Sequence, residues 1–406
     1  MSSVRHRACA PAVHVPSSRV RLRRLSRLVS LAVLIGLAIG FVVLLATSTG
    51  LRTIRGGRIG GDLPSFYAGA RIVASGRFEK LYDAAAQEEV ETDLLLGARG
   101  RLPFPYPPYV AVAYVPLTWV PFKAAYAIHT ILMAMCLAGA LLLLRRVIPA
   151  IGGSFLQVFA ATLAFYPMFR ALLGGQNTPL SFLLGVGAAV TLMNGRDFTA
   201  GLWIGLWLYK PQLAVPVGGV LLLRAQDKRR FAAGVATIAV LYYAIGVVIG
   251  GWQWPLWWWH DGAMRFTIDD LALESWNGVS FNEVATEHGL TPFNWIASAL
   301  TVCGAIWLAL RRDVPTVAAT AFAMLTAVLI VPHALYYDGG LAALALIAAV
   351  ASRPSVLPAV LGIWALAWLQ PLRTQLPVPP VTIVILLSMA LVAWAGRRRE
   401  ELGTAI

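Results

Sequence analysis

Residues 28–46 read LVSLAVLIGLAIGFVVLLA and contain no charged side chain. The hydrocarbon core of a bilayer is spanned by about 20 consecutive apolar residues, so this stretch predicts one transmembrane helix. Basic residues beside such a helix favour the cytoplasmic side. We therefore expect an uncleaved first anchor with the N-terminus inside the cell. The arginines that precede the helix are Arg5, Arg7, Arg19, Arg21, Arg23, Arg24 and Arg27.

The rest of the chain has a similar composition. Hydrophobic residues make up 58% of its 406 residues and charged residues 13%, and the mean hydropathy is +0.71. Soluble domains carry about 25% charged residues, so the composition excludes a soluble enzyme, a disordered chain and a nucleic-acid-binding module. Cys9, Cys136 and Cys303 are too few and too scattered for a disulfide framework or a zinc site.

The apolar blocks predict an all-α polytopic membrane protein with about twelve transmembrane helices and both termini in the cytoplasm. We expect a disordered basic tail at 1–25, a membrane domain at 26–396 with outer loops at 48–123 and 251–289, and a second tail at 397–406. The proline-rich stretch 107–122 is expected to be only partly embedded. The predicted crossings are 26–47, 124–144, 154–172, 176–193, 198–209, 211–224, 230–250, 290–310, 314–332, 338–351, 354–370 and 380–396.

The distribution of charge supports this topology. More than half of the 33 Lys and Arg residues fall on the cytoplasmic side, which explains the net charge of +14 as an orientation signal. Residues 198–224 fit this topology less well, because they are too short for two full-length crossings of the membrane. We expect two half-helices that meet at Lys210-Pro211; a single helix centred on Lys210 is the alternative and would reverse everything downstream.

This topology gathers the unusual polar residues on the outer face, where ionisable groups at membrane depth mark a substrate path or a buried pair. Asp62 follows a Gly-Gly turn and is suited to accept the proton of an attacking hydroxyl. Positive side chains are suited to stabilise a departing phosphate, and amides to hydrogen-bond sugar hydroxyls. The remaining candidates are Lys210, Arg170 and His333 for the phosphate, and Gln176, Asn177, Tyr67, Tyr337 and Asp338 for the sugar or acceptor.

At these positions the chain resembles glycosyltransferase family 87, of the C-type superfamily of multi-pass glycosyltransferases. The resemblance rests on Asp62 with the following Tyr67-Ala68-Gly69-Ala70, on Tyr82-Asp83, on Tyr106-Pro107-Pro108, on Gly175-Gln176-Asn177, on Lys210-Pro211 and on His333 near Tyr337-Asp338. It implies a C-type helical bundle that transfers a hexose, most simply mannose, from a polyprenyl-phosphate donor to an extracytoplasmic glycolipid or polysaccharide.

The resemblance also implies an inverting reaction with Asp62 as general base, in a bacterial inner membrane, with the active site facing outwards. The superfamily often has a second acidic residue beside the catalytic one, whereas Gly61 and Leu63 flank Asp62 here. We therefore predict neither a metal ion nor another cofactor. The expected partners are the lipid-linked donor, the acceptor and membrane lipids, without nucleic acid.

Each candidate also has a purely structural reading. Asp62 would only cap the helix that starts near Pro64, Lys210 would only snorkel to the interface, and Asp338 would only pair with Lys210 or Arg170. Arg170 would anchor a helix end, His333 would be a satisfied structural histidine, and Gln176-Asn177 would be a plain turn. The tryptophan-rich run 252–259 is typical of an interfacial belt, with sugar stacking as the alternative.

Two other classes of function remain open. A flippase or transporter of a lipid-linked saccharide would share the basic groove and broken helices, although internal repeats typical of transporters are not evident. A catalytically inactive scaffold in envelope assembly is the third possibility. The sequence contains no Walker loop, dinucleotide fingerprint, His-Glu-x-x-His motif or nucleophile elbow, which argues against nucleotide-driven transport and soluble-type hydrolases.

Overall fold

The computed structural model describes residues 17–49, 52–54, 57–94, 102–266 and 277–396. Within these ranges the chain is almost entirely helical, and β-structure is limited to isolated bridges. The helices are α1 (Ser17–Thr47), α2 (Leu63–Ala74), α3 (Ala84–Leu94), α4 (Pro108–Tyr114), α5 (Phe122–Leu144), α6 (Ala150–Gly153), α7 (Phe155–Leu163), α8 (Tyr166–Leu173), α9 (Thr178–Met193), α10 (Asp197–Leu206), α11 (Pro211–Arg224), α12 (Lys228–Gly250), α13 (Trp254–Trp257), α14 (Phe281–Glu287), α15 (Thr291–Leu310), α16 (Thr316–Ile330), α17 (Ala342–Ser352), α18 (Leu357–Leu366) and α19 (Pro380–Ala395).

Five helical segments of the described chain are long and apolar enough to cross a membrane: Arg21–Thr47, Phe122–Leu144, Lys228–Gly250, Thr291–Leu310 and Pro354–Gln375. A sixth would be formed by α7 and α8 together, which are bent by 70° at their junction. The all-helical membrane architecture is therefore confirmed. The number of twelve crossings and the cytoplasmic position of both termini remain predictions.

Five of the other six predicted spans correspond to shorter apolar helices of 10–17 residues: Thr178–Met193, Pro211–Arg224, Thr316–Ile330, Tyr336–Ser352 and Pro380–Ala395. The sixth, 198–209, corresponds to α10 and the 3₁₀ turn Trp207–Tyr209. Helix α16 is buried along nearly its whole length, and it packs against α9, α11, α15, α17 and α19. Proteins bury such helices inside a bundle, where each apolar face contacts another helix instead of lipid. The short helices therefore form the core of the bundle, and polar turns lie at their ends.

The break predicted at Lys210-Pro211 is confirmed. Helix α10 ends in a 3₁₀ turn at Trp207–Tyr209, and α11 begins at Pro211. Proline at the first helical position favours a new helix start, while the residue before proline is biased away from α-helical geometry. Lys210 accordingly has φ −124° and ψ 74°, so the chain changes direction at this residue.

One boundary differs from the sequence-based expectation. Helix α1 starts at Ser17, inside the expected tail 1–25, because Arg and Leu both have high helix propensity; residues 1–16 and the expected tail 397–406 lie outside the described residues. The proline-rich stretch forms α4 followed by a 3₁₀ turn at Val115–Trp119. These two elements together are shorter than a bilayer-spanning helix.

The tryptophan-rich run contacts the segment between α1 and α5. Trp258 Nε1 donates a hydrogen bond to the Pro105 carbonyl at 2.8 Å, and Trp257 packs edge-on against Tyr82. Trp252 and Trp259 are exposed, as expected of residues at a headgroup interface. Part of this run therefore packs on the segment between α1 and α5, which also carries Asp62.

Candidate functional site

Two Gly-Gly turns bring Asp62 and Gln176 together. The Asp62 backbone N–H donates to the Gly174 carbonyl at 2.9 Å. Gly61 (φ +49°) and Gly175 (φ +60°) have left-handed conformations that favour glycine. A Cβ on Gly61 would lie 2.6 Å from the Gly174 Cα, and one on Gly175 would lie 2.5 Å from the Gly60 carbonyl oxygen. Only glycines therefore allow the two turns to approach so closely.

The Asp62 carboxylate is held by two side chains from distant parts of the sequence. Its Oδ2 accepts hydrogen bonds from Gln176 Nε2 and, at 3.1 Å, from the Tyr337 hydroxyl. Gln176 Nε2 also donates to the Tyr337 oxygen at 3.0 Å. Asp62 occupies the N-cap position of α2, but its side chain makes no capping hydrogen bond. The carboxylate therefore faces this polar cluster instead of capping the helix.

The surroundings of Asp62 favour its protonated form relative to an ordinary aspartate. Removal from water raises the pKa of Asp62, although the hydrogen bonds from Gln176 and Tyr337 and the charges of Arg58 and Lys210 partly oppose this effect. The residue itself remains partly exposed. A carboxyl group of this kind remains accessible and is a stronger base than aspartate in water.

Lys210 and Asp338 form a buried ion pair beside Asp62. Lys210 Nζ lies 3.1 Å from Asp338 Oδ1, and the side chains are 5% and 11% exposed. Such burial is inconsistent with a lysine that snorkels to the interface, because its charge would then be in water. Asp338 follows Tyr337 directly, so the ion pair adjoins the hydrogen bonds of Asp62. The purely structural interpretation of Asp338 predicted such a pair, and the structure contains it.

Arg170 lies on another side of this cluster and contacts Tyr336. Its Nη2 and Nε atoms donate to the Tyr336 hydroxyl at 3.1 and 3.3 Å, and the guanidinium stands over the Tyr336 ring, 5.8 Å from its centre. Arg170 is in α8, one turn before the Gly174-Gly175 turn. It is therefore held at the edge of the group formed by Asp62, Tyr337 and Lys210.

His333 is paired with a residue that the sequence analysis missed. Its Nδ1 lies 2.5 Å from Glu283 Oε1, and the backbone N–H of Ala334 donates to the same carboxylate at 3.3 Å. Glu283 also forms a capping box with Ser280 at the start of α14. The Ser-x-x-Glu spacing at 280–283 predicts a helix start, but a helix start says nothing about a histidine 50 residues away. No contact joins His333 directly to Asp62 among the described residues.

Asn177 and Tyr67 occupy supporting positions. Asn177 is buried, and its carbonyl accepts a hydrogen bond from the Tyr209 hydroxyl at 3.0 Å. Tyr67 is buried as well, and its hydroxyl donates to the Val120 carbonyl at 3.1 Å. The structure therefore gathers Asp62, Gln176, Tyr337, Lys210 and Asp338 in one cluster, which Arg170 adjoins through Tyr336 and Asn177 through Gln176. His333 is bound to Glu283 instead, and the Tyr67 hydroxyl is bound to the Val120 carbonyl.

Tyr106 is a further residue of this region that carried no predicted role. Burial raises the pKa of its phenol, and the nearby carboxylates of Asp338 and Asp62 raise it further. Its position within Tyr-Pro-Pro indicated only a rigid turn. Among the described residues, no group of three or more His, Cys, Asp or Glu side chains is arranged to hold a metal ion.

The cluster combines a carboxylate, positive side chains and amide donors at the ends of short helices. The model of glycosyltransferase family 87 matches residues 104–332. The matched range includes Arg170, Gln176, Asn177 and Lys210, while Asp62 lies before it and Tyr337 after it. No curated protein and no solved structure matches the chain. Because the matched range covers more than half of the 406 residues, this membrane protein belongs to glycosyltransferase family 87.

Proposed function

We propose that the chain transfers a hexose, with mannose as the first candidate, from a polyprenyl-phosphate-linked donor to an extracytoplasmic glycolipid or polysaccharide. The observation that carries this proposal is the carboxylate of Asp62, which is held by Gln176 and Tyr337 beside the buried Lys210–Asp338 pair. This arrangement supplies a base, and Arg170, which has no carboxylate partner among the described residues, supplies positive charge nearby. Sugar transfer from a lipid phosphate requires both.

In the proposed reaction Asp62 is the general base. The acceptor hydroxyl loses its proton to the Asp62 carboxylate, and its oxygen forms a bond to the anomeric carbon of the sugar. The bond from that carbon to the phosphate oxygen breaks at the same time, and its electron pair remains on the phosphate. A single displacement of this kind inverts the anomeric configuration. The hydrogen bonds from Tyr337 and Gln176 orient the Asp62 carboxylate, and this orientation lowers the entropic part of the activation barrier.

Positive charge beside the leaving phosphate would stabilise the transition state, because that phosphate gains negative charge as the bond breaks. Lys210, Arg170 and His333 are the proposed sources of this charge. Gln176, Asn177, Tyr337 and Asp338 are proposed to contact the sugar or the acceptor. Tyr67 contributes by packing, since its hydroxyl is already bound to the Val120 carbonyl.

The positions of the arginines support an active site on the extracytoplasmic side. Gln176 and Lys210 precede α9 and α11, and arginines 196 and 224 lie at the opposite ends of these helices. Tyr337 similarly follows α16, which is preceded by Arg311 and Arg312. Basic residues concentrate on the cytoplasmic side of membrane proteins. The polar cluster is therefore on the side away from them, in a bacterial inner membrane as we propose.

The test is sugar transfer by the purified full-length protein. A radiolabelled polyprenyl-phosphate hexose and a cell-envelope lipid extract are supplied, and labelled product is measured for the wild type, Asp62→Asn and the control Glu89→Gln, whose side chain is 68% exposed. We expect product from the wild type and the control, and at least about a 100-fold loss in Asp62→Asn without a loss of thermal stability. Full turnover by Asp62→Asn would exclude Asp62 as the base.

A second assay separates transfer from transport. The protein is reconstituted into vesicles that contain the same labelled lipid, without any acceptor. If the labelled lipid crosses the bilayer and the first assay yields no product, the proposal of a transferase with this donor is wrong and the flippase alternative is favoured. Inversion is checked by the anomeric configuration of the isolated product.

A further inference from the structure

Arg58 lies four residues before Asp62, in the turn that carries the carboxylate into the site. The backbone of Arg58 forms a β-bridge with Arg52, and Ile59, the next residue, is buried. The Asp62 backbone is in turn bound to Gly174. The position of Arg58 is therefore fixed by the same turn that fixes the proposed base.

The guanidinium of Arg58 has hydrogen-bonding capacity that the described part of the chain does not use. Its Nη1 atom is buried and has no hydrogen-bond partner there. A buried donor without a partner is costly, and native structures rarely retain one unless a ligand or water satisfies it. Burial raises the pKa of Asp62, and the positive charge of Arg58 partly opposes this larger effect. The free donor therefore lies close to the proposed base.

The other cations of the site are already engaged. Lys210 is paired with Asp338, and two nitrogens of Arg170 donate to the Tyr336 hydroxyl. Among the described residues, no ion pair with a carboxylate involves Arg58. Arg58 is thus the cation near Asp62 with the most hydrogen-bonding capacity left for an incoming anion.

The net charge of the site also indicates that binding of an anionic donor needs a cation in addition to Lys210. Asp62 and Asp338 carry two negative charges when both are ionised, and Lys210 offsets one of them. Without Arg58 and Arg170 the group would repel an anionic donor, and with Arg170 alone it would be neutral. Adding Arg58 makes the site positive. A sugar-linked phosphodiester carries one negative charge, and the phosphate monoester that leaves approaches two.

We propose that Arg58 binds the phosphate of the polyprenyl-phosphate donor and stabilises the charge that this phosphate gains when the sugar leaves. The inference rests on the proposed function and adds a residue to it. A guanidinium is suited to this role because its planar fork of N–H donors forms paired hydrogen bonds to phosphate oxygens. Arg58 then acts on the leaving group, while Asp62 acts on the acceptor hydroxyl.

The first test measures binding of the sugar-free leaving group, so it does not depend on turnover. Purified wild type, Arg58→Gln, Arg58→Lys and Arg52→Gln are titrated with a polyprenyl phosphate in detergent. We expect about 10- to 100-fold weaker binding by Arg58→Gln, which corresponds to the loss of hydrogen bonds to a charged group, and an intermediate loss in Arg58→Lys. Arg52 is exposed in the same turn, so Arg52→Gln is expected to bind as the wild type does.

The second test uses the pH profile of sugar transfer. Because Arg58 lowers the pKa of Asp62, removal of its charge moves the acidic limb of the profile to higher pH in Arg58→Gln, whereas Arg52→Gln leaves it in place. A purely structural arginine would change thermal unfolding without weakening the binding of polyprenyl phosphate. Wild-type binding of polyprenyl phosphate by both Arg58 variants would overturn the inference. Absence of transfer by the wild type itself would instead count against the proposed function.

Discussion

Lys210 Nζ and Asp338 Oδ1 are 3.1 Å apart in the interior of the protein, although 128 residues separate them in the sequence. Asp338 directly follows Tyr337, which donates to Asp62. The ion pair therefore fixes the segment that positions the proposed base. Through it, α11 and the chain after α16 hold the polar cluster together.

Removal of one partner of this pair is expected to destabilise the protein strongly. Lys210→Met leaves Asp338 buried without its cation, which typically costs about 3–5 kcal/mol. The double variant Lys210→Met with Asp338→Asn removes both charges and is expected to recover much of the loss. Thermal unfolding in detergent measures the effect. The control is Lys80→Met, which breaks an exposed pair with Asp83 and should cost at most about 1 kcal/mol; equal losses in the two single variants would contradict the prediction.

The pH dependence of transfer is expected to reflect the raised pKa of Asp62. The base must be ionised to accept a proton, so activity falls as the pH is lowered through its pKa. Because burial raises this pKa, the acidic limb should lie above the ordinary aspartate value of about 3.9. The measurement is kcat/KM against pH at constant donor concentration. An acidic limb at or below the ordinary value would contradict the prediction.

The same raised pKa predicts an effect of pH on stability. In the folded protein Asp62 binds its proton more tightly than in the unfolded chain, so protonation stabilises the fold. This contribution is complete below the ordinary pKa of about 3.9 and is lost as the pH rises through the raised value. The unfolding temperature of the wild type should therefore fall relative to that of Asp62→Asn across this window. A constant difference between the two proteins would show that the folded and unfolded pKa values are equal.

The close approach of the two Gly-Gly turns can be tested with a pair of alanine substitutions. Gly175 and Gly195 have similar positive φ values of +60° and +67°, but only a Cβ at Gly175 would collide, with the Gly60 carbonyl oxygen and Leu63 Cβ, both at 2.5 Å. Gly195→Ala should cost about 1–3 kcal/mol from backbone strain alone. Gly175→Ala should cost more and abolish transfer, because it separates Asp62 from Gln176. Equal stability and activity of the two variants would argue against this account.

Glu283 is expected to act through His333. Its carboxylate lies 2.5 Å from His333 Nδ1, so it orients the imidazole. Glu283→Gln should reduce kcat/KM about 10-fold or more, as expected for the loss of a charged hydrogen bond. The double variant with His333→Gln should be no worse than His333→Gln alone, since residues that act as one unit are not additive. Glu89→Gln, whose side chain is 68% exposed, is the control; additive losses would show that Glu283 and His333 act independently.

The helical membrane architecture could be predicted from sequence because it depends on local properties. The length and polarity of 28–46 and of the later apolar blocks predict helices wherever they occur, and the Lys210-Pro211 dipeptide predicts the helix break by itself. Local properties also explain why α1 starts earlier in the chain than predicted. Hydropathy reports where a helix enters the apolar phase, and helix propensity extends the helix beyond that point.

The candidate residues were also largely visible in the sequence, since Asp62, Gln176, Lys210 and Asp338 are polar groups at the ends of apolar blocks. The pairing of Asp338 with Lys210 was one of two alternatives that the sequence offered, but the partners of Asp62 and His333 were not predicted. The contacts Asp62–Gln176 and His333–Glu283 span 114 and 50 residues, and no local pattern specifies which distant side chains will meet. The sequence alone thus determined the helices and the polar residues at their ends. Only the tertiary structure decided which charges are paired and which, like Arg58, remain available, because pairing depends on the packing of the helices and turns in three dimensions.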